Sequence, residues 1–211
     1  MRRDELEHII RAVGAIISDK DLIIVGSQSI LGQYPYDLPP EATESVEADI
    51  MPLDDPDGRK GDLIEGAIGY LSQFWDTFGI WAHGIDEQAL FLPKGWRDRL
   101  VPISNSNTWG VTGHCLDTHD LLIAKYVAGR EKDLSFCRAV VQAGIVQKDI
   151  LQQRLRDTEC AHQVRIRVES LIAKHFSDQN KYHGVGEPQH QQRYYQPPNR
   201  DCEHSDERDH R

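Results

Sequence analysis

The chain has 211 residues, of which 39% are hydrophobic, and a formal net charge of -10 at pH 7. This length suffices for one sizeable core and a small second lobe. The negative charge argues against a protein that holds nucleic acid by general electrostatic attraction, because such binding depends on clustered Lys and Arg.

The first predicted elements are an amphipathic helix and a strand that ends in a turn of small residues. Apolar residues from Leu6 to Ile17 recur at helical spacing, and the apolar run 22–25 then predicts a strand that stops at Gly26 and Ser27. A small-residue turn at a helix start presents free backbone N–H groups, where a phosphate can bind. The sequence therefore predicts a phosphate site at Gly26 and Ser27.

The next predicted strand carries two acidic residues, Glu47 and Asp49. Side chains alternate along a strand, so these carboxylates share one face while Ala48 and Ile50 point into the core. Two carboxylates on one rigid face are a typical binding site for Mg²⁺. The alternative is that the Gly-Ser turn is an ordinary turn and that the acidic residues are the solvated face of an edge strand.

The central part of the chain predicts a crossover helix and further strands. Apolar residues within 63–71 repeat at helical intervals. The run 78–82 fits a third strand that ends near His83, and the stretches 90–93 and 99–103 predict one or two edge strands. We interpret His83 as a structural histidine beside a turn, with a contribution to the acidic site as the alternative. The sheet is therefore expected to be small and mixed.

From Thr118 onward the pattern changes to helices. Apolar residues recur at helical spacing in 118–141, 147–156 and 159–176. Beyond Phe176 the chain is rich in Gln, His, Pro and Arg and has almost no aliphatic side chains, which predicts a disordered tail. We therefore divide the chain into an α/β core (residues 1–115), a helical lobe (116–176) and a tail (177–211).

A cationic cluster lies near the start of this lobe. Lys125 falls on its first predicted helix, and Arg130 and Lys132 follow after Gly129. A triphosphate needs cations on its phosphates as well as a metal ion, so these three side chains are predicted to bind it. Asp133 is either a base for an acceptor hydroxyl or an ion-pair partner that orients Lys125 or Arg130.

The order of these features resembles the nucleotidyltransferase superfamily. The Gly-Ser turn followed by Glu47-Ala48-Asp49-Ile50 is similar to its hGS…[DE]h[DE]h signature. The stretch 92–100 and the block from His119 to Asp133 are similar to bacterial proteins of the DUF6036 group, which is related to the AbiEii-type nucleotidyltransferase toxins. The resemblance covers residues 5 to 155.

The resemblance implies an α+β fold, in which a nucleotidyltransferase-like small mixed sheet with flanking helices precedes a C-terminal helical lobe and a disordered tail. It implies Mg²⁺-dependent transfer of a nucleoside monophosphate from an NTP to a hydroxyl of RNA (tRNA) or of a protein. It also raises a toxin role, with a cognate antitoxin as partner. The active site implied by position comprises Gly26, Ser27, Glu47, Asp49, Lys125 and Asp133, with Glu47 and Asp49 as the metal ligands.

The chain departs from the pattern at the position of a third metal carboxylate. Trp81, Ala82 and His83 stand where one is expected, and Asp86 lies just beyond them. The alternative function is therefore a catalytically inactive nucleotidyltransferase-fold module with a binding or regulatory role.

Composition also bears on the compartment. No segment approaches the roughly 20 apolar residues that a transmembrane helix needs. Residues 1–5 lack the apolar stretch of a signal peptide. The four cysteines lie far apart without a C-x-x-C pair, which predicts neither a disulfide framework nor a zinc knuckle. We therefore expect a cytoplasmic protein with no membrane partner.

Overall fold

The computed structural model describes residues 1–183, with side chains described as far as residue 180. Its strands are β1 (Asp21–Val25), β2 (Glu47–Pro52), β3 (Trp81–Gly84), β4 (Val101–Ile103) and β5 (Thr112–Cys115). They form one sheet in the order β3-β2-β1-β5-β4. β1 pairs antiparallel with β2 and parallel with β5, while β3 pairs parallel with β2. The expected small mixed sheet is therefore confirmed.

Within residues 1–183 the α-helices are α1 (Arg3–Ile17), α2 (Pro40–Thr43), α3 (Arg59–Ile68), α4 (Gln73–Phe78), α5 (Thr118–Ala128), α6 (Glu131–Gln142), α7 (Lys148–Arg156) and α8 (His162–His183). The helical region expected from Thr118 is confirmed as α5 to α8. None of the helices in this part of the chain is both long and apolar enough to cross a membrane.

The predicted tail overlaps the end of α8, which continues past Phe176 to His183. The polar residues that follow Phe176 include Gln and Lys, which are good helix formers and need no apolar partner on a solvated helix. The rest of the predicted tail, 184–211, lies outside the described residues.

The core is built around β1, the central strand of the sheet. Residues 22–25 of this strand are at most 2% exposed. On α1, Leu6, Ile9 and Val13 are fully buried, as the helical spacing predicts for an apolar stripe that faces a core. This packing fixes β1, and with it the turn that follows Val25.

β5 and α4 are among the elements that were not predicted from the sequence. β5 contains Gly113, and glycine is a poor strand former, yet the segment pairs with both β1 and β4. Glycine fits there because a Cβ at Gly113 would lie 2.6 Å from Cδ1 of Ile10. The second element is α4, which begins where the Oγ of Ser72 accepts a hydrogen bond from the backbone N–H of Trp75.

Two strand predictions need correction. The stretch 90–93 forms no strand, and the predicted strand 78–82 begins only at Trp81 because Phe78 belongs to α4. Gly79 has φ 68° and ends that helix, so the chain turns before it enters the sheet. The stretch 99–103 shortens to β4.

The helical lobe is positioned against the ends of the central strands. A 3₁₀ helix, Ser27–Gly32, follows β1 directly. α5 packs on this 3₁₀ helix, and α6 packs on α2, which leads into β2. These contacts bring the start of the lobe close to the acidic strand.

Candidate active site

Three side chains converge where β2 and β3 pair at the edge of the sheet. Glu47 and Asp49 lie on one face of β2, and His83 of β3 is the cross-strand partner of Asp49. His83 Nδ1 lies 3.5 Å from Glu47 Oε1 and 3.7 Å from Asp49 Oδ1. One ligand atom from each residue lies within 4.8 Å of the others. His83 thus occupies the strand position where the nucleotidyltransferase pattern leads us to expect a third carboxylate.

The acidic pair carries negative charge in a partly buried setting. Burial raises the pKa of Glu47, and the negative charge of Asp49 raises it further. Burial also raises the pKa of Asp49, although the neighbouring His83 and Lys125 oppose this rise. Within the described chain, neither carboxylate forms an ion pair with a lysine or arginine. A divalent cation would balance this charge, so the residues fit a metal site.

The turn after β1 packs directly against the acidic pair. Val25 and Asp49 are partners in the β1–β2 ladder. Gly26 has φ 61° and ψ -164°, a backbone region that is essentially reserved for glycine. A Cβ at Gly26 would lie 1.8 Å from Asp49 Oδ2. The predicted Gly26-Ser27 phosphate turn is therefore adjacent to the carboxylates.

The cationic cluster is organised by a buried aspartate. Asp133 is fully buried and accepts hydrogen bonds from Lys125 Nζ at 3.2 Å and Arg130 Nε at 2.6 Å. Burial would raise the pKa of Asp133, but its hydrogen bonds and the neighbouring positive charges outweigh burial and lower it. Lys125 Nζ also lies 4.5 Å from the centre of the Phe136 ring. Of the two roles considered for Asp133, this geometry favours orientation of the cations.

The cations of the lobe act electrostatically on the two carboxylates of β2. Lys125, Lys132 and Arg130 each oppose the burial-induced rise in the pKa of Asp49. Lys132 has the same effect on Glu47. The cations at the start of the lobe therefore lie near enough to the carboxylates of β2 to act on their charge, and Gly26 packs against Asp49.

Asp120, which belongs to the block from His119 to Asp133, connects parts of the structure. It is fully buried on α5 and lies 2.9 Å from Arg99 Nε and 3.0 Å from Arg154 Nε. These ion pairs connect α5 to the segment before β4 and to α7. Asp120 thereby holds the helix that carries Lys125.

One protein family matches most of the chain. A family model described as a nucleotidyltransferase of unknown function (DUF6036) matches residues 4–183. The chain belongs to the DUF6036 family. No curated protein and no solved structure gave a significant match. DUF6036 membership places the chain among the nucleotidyltransferases, whose nucleotide substrate is an NTP.

Sequence reasoning did not favour His83 as a member of this DUF6036 site. Its signal was the spacing of Trp81 and His83, two residues apart, which puts both side chains on one face of a strand. Only the parallel pairing of β3 with β2 shows that this face is shared with Glu47 and Asp49.

Proposed function

We propose that this DUF6036 protein is a Mg²⁺-dependent nucleotidyltransferase, which transfers a nucleoside monophosphate from an NTP to a hydroxyl group. One observation carries the proposal: the acidic pair of β2 lies against the Gly26 turn and feels the positive charges of the lobe.

The binding roles follow from charge. Glu47 and Asp49, with His83 beside them, would hold the metal ion. When bound there, Mg²⁺ would neutralise negative charge on the triphosphate and lower the pKa of the attacking hydroxyl. Lys125, Arg130 and Lys132 would bind the phosphates, together with Gly26 and Ser27.

The chemical step is a displacement at the α-phosphorus. The acceptor oxygen forms a bond to this phosphorus, the bond to the bridging oxygen breaks, and pyrophosphate leaves. The hydroxyl proton passes to water. Lys125 and Arg130 stabilise the negative charge that develops on pyrophosphate, and Asp133 holds both cations in place.

The acceptor is proposed to be a hydroxyl of an RNA, such as a tRNA, or of a protein. A toxin role with a cognate antitoxin belongs to the same proposal. In that case, expression of the protein arrests growth, and Glu47→Ala removes the arrest.

The test is a transfer assay with purified protein, Mg²⁺ and each of the four NTPs labelled at the α-phosphate. The assay includes total tRNA as acceptor and detects self-modification in parallel. We expect transfer with at least one NTP and its loss in Asp49→Ala. Asp21→Ala is the matched control, because Asp21 lies on β1 outside the site, where it pairs with His114.

Binding of NTP without transfer to any acceptor would instead support the inactive binding or regulatory module. The observation on its side is His83, which stands where a third carboxylate was sought. Equal transfer by wild type and Asp49→Ala would contradict the proposed site.

A further inference from the structure

A row of aromatic side chains continues from His83 across the surface of the protein. Trp81 and His83 share a face of β3, with ring centroids 6.3 Å apart. Tyr70 follows α3, and its ring centroid lies 5.6 Å from that of Trp81 and 5.4 Å from that of Trp75. We call Tyr70, Trp75 and Trp81 the aromatic ledge.

The aromatic ledge is open to solvent. Tyr70 is 58% exposed, and Trp75 and Trp81 are partly exposed. The adjacent Leu71 is 67% exposed and has φ 63°, a backbone conformation that a bulky side chain rarely adopts. Exposed apolar surface and local backbone strain both concentrate at binding sites. Because Trp81 is the cross-strand partner of Glu47, these partly exposed rings begin beside the acidic pair.

The sheet order separates the aromatic ledge from the Gly26 turn. β2 lies between β1 and β3. The Gly26 turn ends β1, and the 3₁₀ helix after it contacts α5, so the phosphate-binding residues lie on the β1 side. In phosphoryl transfer the attacking and leaving oxygens are roughly in line. If pyrophosphate leaves toward the cations, the acceptor hydroxyl enters from the side of β3.

We propose that the aromatic ledge binds unpaired nucleobases of an RNA acceptor. This inference rests on the proposed transfer activity and selects RNA as the acceptor. Unpaired bases stack on exposed aromatic rings because every base has a flat π-face. The side chains around the hydroxyl of a protein acceptor need not have such a face. Stacking also needs no clustered Lys and Arg, so it is compatible with a net charge of -10.

The test measures binding of a short, fluorescently labelled single-stranded RNA to the full chain by anisotropy. Tyr70→Leu and Trp81→Leu are each expected to weaken this binding about tenfold, and Trp81→Phe to retain most of it. In the transfer assay, the same two leucine variants raise KM for RNA and leave kcat and KM for NTP unchanged. Tyr70→Leu changes an exposed side chain, so it remains informative if Trp81→Leu does not fold.

Trp109→Leu is the matched control, because Trp109 is 80% exposed and lies against Arg11 rather than in the aromatic ledge. It should leave RNA binding unchanged.

RNA binding that is insensitive to both ledge substitutions overturns the inference, whether or not the protein transfers nucleotides. If the leucine variants raise only KM for NTP, the rings bind the base of the NTP and the inference is wrong. If Tyr70→Leu transfers nucleotide to a protein at an unchanged rate, RNA is rejected as the acceptor. Ledge-dependent RNA binding without any transfer would keep the RNA site and reject the proposed activity.

Discussion

Gly26 and Asp49 are packed so closely that a Cβ at Gly26 would lie 1.8 Å from Asp49 Oδ2. Gly26→Ala must therefore displace the carboxylate as well as strain the backbone. We expect a loss of about 2 kcal/mol in the free energy of unfolding. We also expect a fall in transfer of about 100-fold, because a small misplacement of a reacting group is costly. Urea unfolding and the transfer assay measure the two effects.

The control for this substitution is Gly58→Ala. Gly58 also has a positive φ of 70°, but a Cβ there would meet nothing within 4 Å. Gly58→Ala should lower the free energy of unfolding by about 1 kcal/mol and leave transfer intact. Equal losses of activity in the two variants would show that backbone strain alone is responsible.

Glu47→Gln is expected to separate stability from activity. The substitution relieves repulsion between two carboxylates that are each 28% exposed at the side chain. Stability in metal-free buffer should rise by about 0.5–2 kcal/mol, the usual range for one stabilising change, while transfer is lost. Thermal unfolding with and without Mg²⁺ provides the measurement, since the ion should raise Tm of the wild type only. A lower Tm in metal-free buffer would contradict the repulsion.

Asp133→Ala leaves the ammonium of Lys125 without its carboxylate partner. The Lys125 side chain is only 11% exposed, so the free energy of unfolding should fall by about 3 kcal/mol. Transfer should fall as well, because Lys125 and Arg130 lose their orientation. Glu131 is an exposed acidic residue in the same helical turn. Glu131→Ala should lower the free energy of unfolding by only about 0.5 kcal/mol. Similar losses from both would mean that Asp133 acts only through the helix dipole.

The contribution of Asp133 to stability should also depend on pH. Its pKa in the folded protein lies below the ordinary value of 3.8. The ion pairs are therefore fully stabilising above that value, and their contribution is lost as the pH falls through the folded pKa. We expect the difference in unfolding free energy between wild type and Asp133→Asn to be constant above about pH 5 and to shrink in stronger acid. A difference that grows in acid would have the wrong sign.

His83→Asp is expected to change the choice of metal ion. Imidazole suits Ni²⁺, whereas carboxylates suit Mg²⁺, so the wild type should bind Ni²⁺ more tightly than Mg²⁺. The variant should shift this preference toward Mg²⁺ by about tenfold. Calorimetric titration with each ion, without NTP, measures the change. His114→Asp, on β5 beside Asp21, should leave the preference unchanged. An unaltered preference in His83→Asp would exclude His83 as a ligand.

Local patterns accounted for the elements whose spacing is set within one segment. The apolar run 22–25 and the helical stripe of α1 were predicted because strand and helix periods are short-range properties. The start of α5 was also predicted at Thr118. There Asp117 accepts hydrogen bonds from the backbone N–H groups of His119 and Asp120.

Elements that depend on distant partners were missed. β5 has only four residues, one of them Gly113, and is held in place by β1 and β4 on either side. His83 and Trp81 carried no distinctive motif, and their importance depends on which strand β3 joins.

The sequence by itself determined that Glu47 and Asp49 share a face, because backbone geometry fixes the period of a strand, and it placed Lys125, Arg130 and Lys132 within one short stretch of the chain. Only the tertiary structure decided that these cations act on the charge of the acidic pair, and that His83 and the aromatic ledge lie beside that pair. Strand register and helix packing arise from contacts between segments far apart in the chain, and no local spacing specifies those contacts.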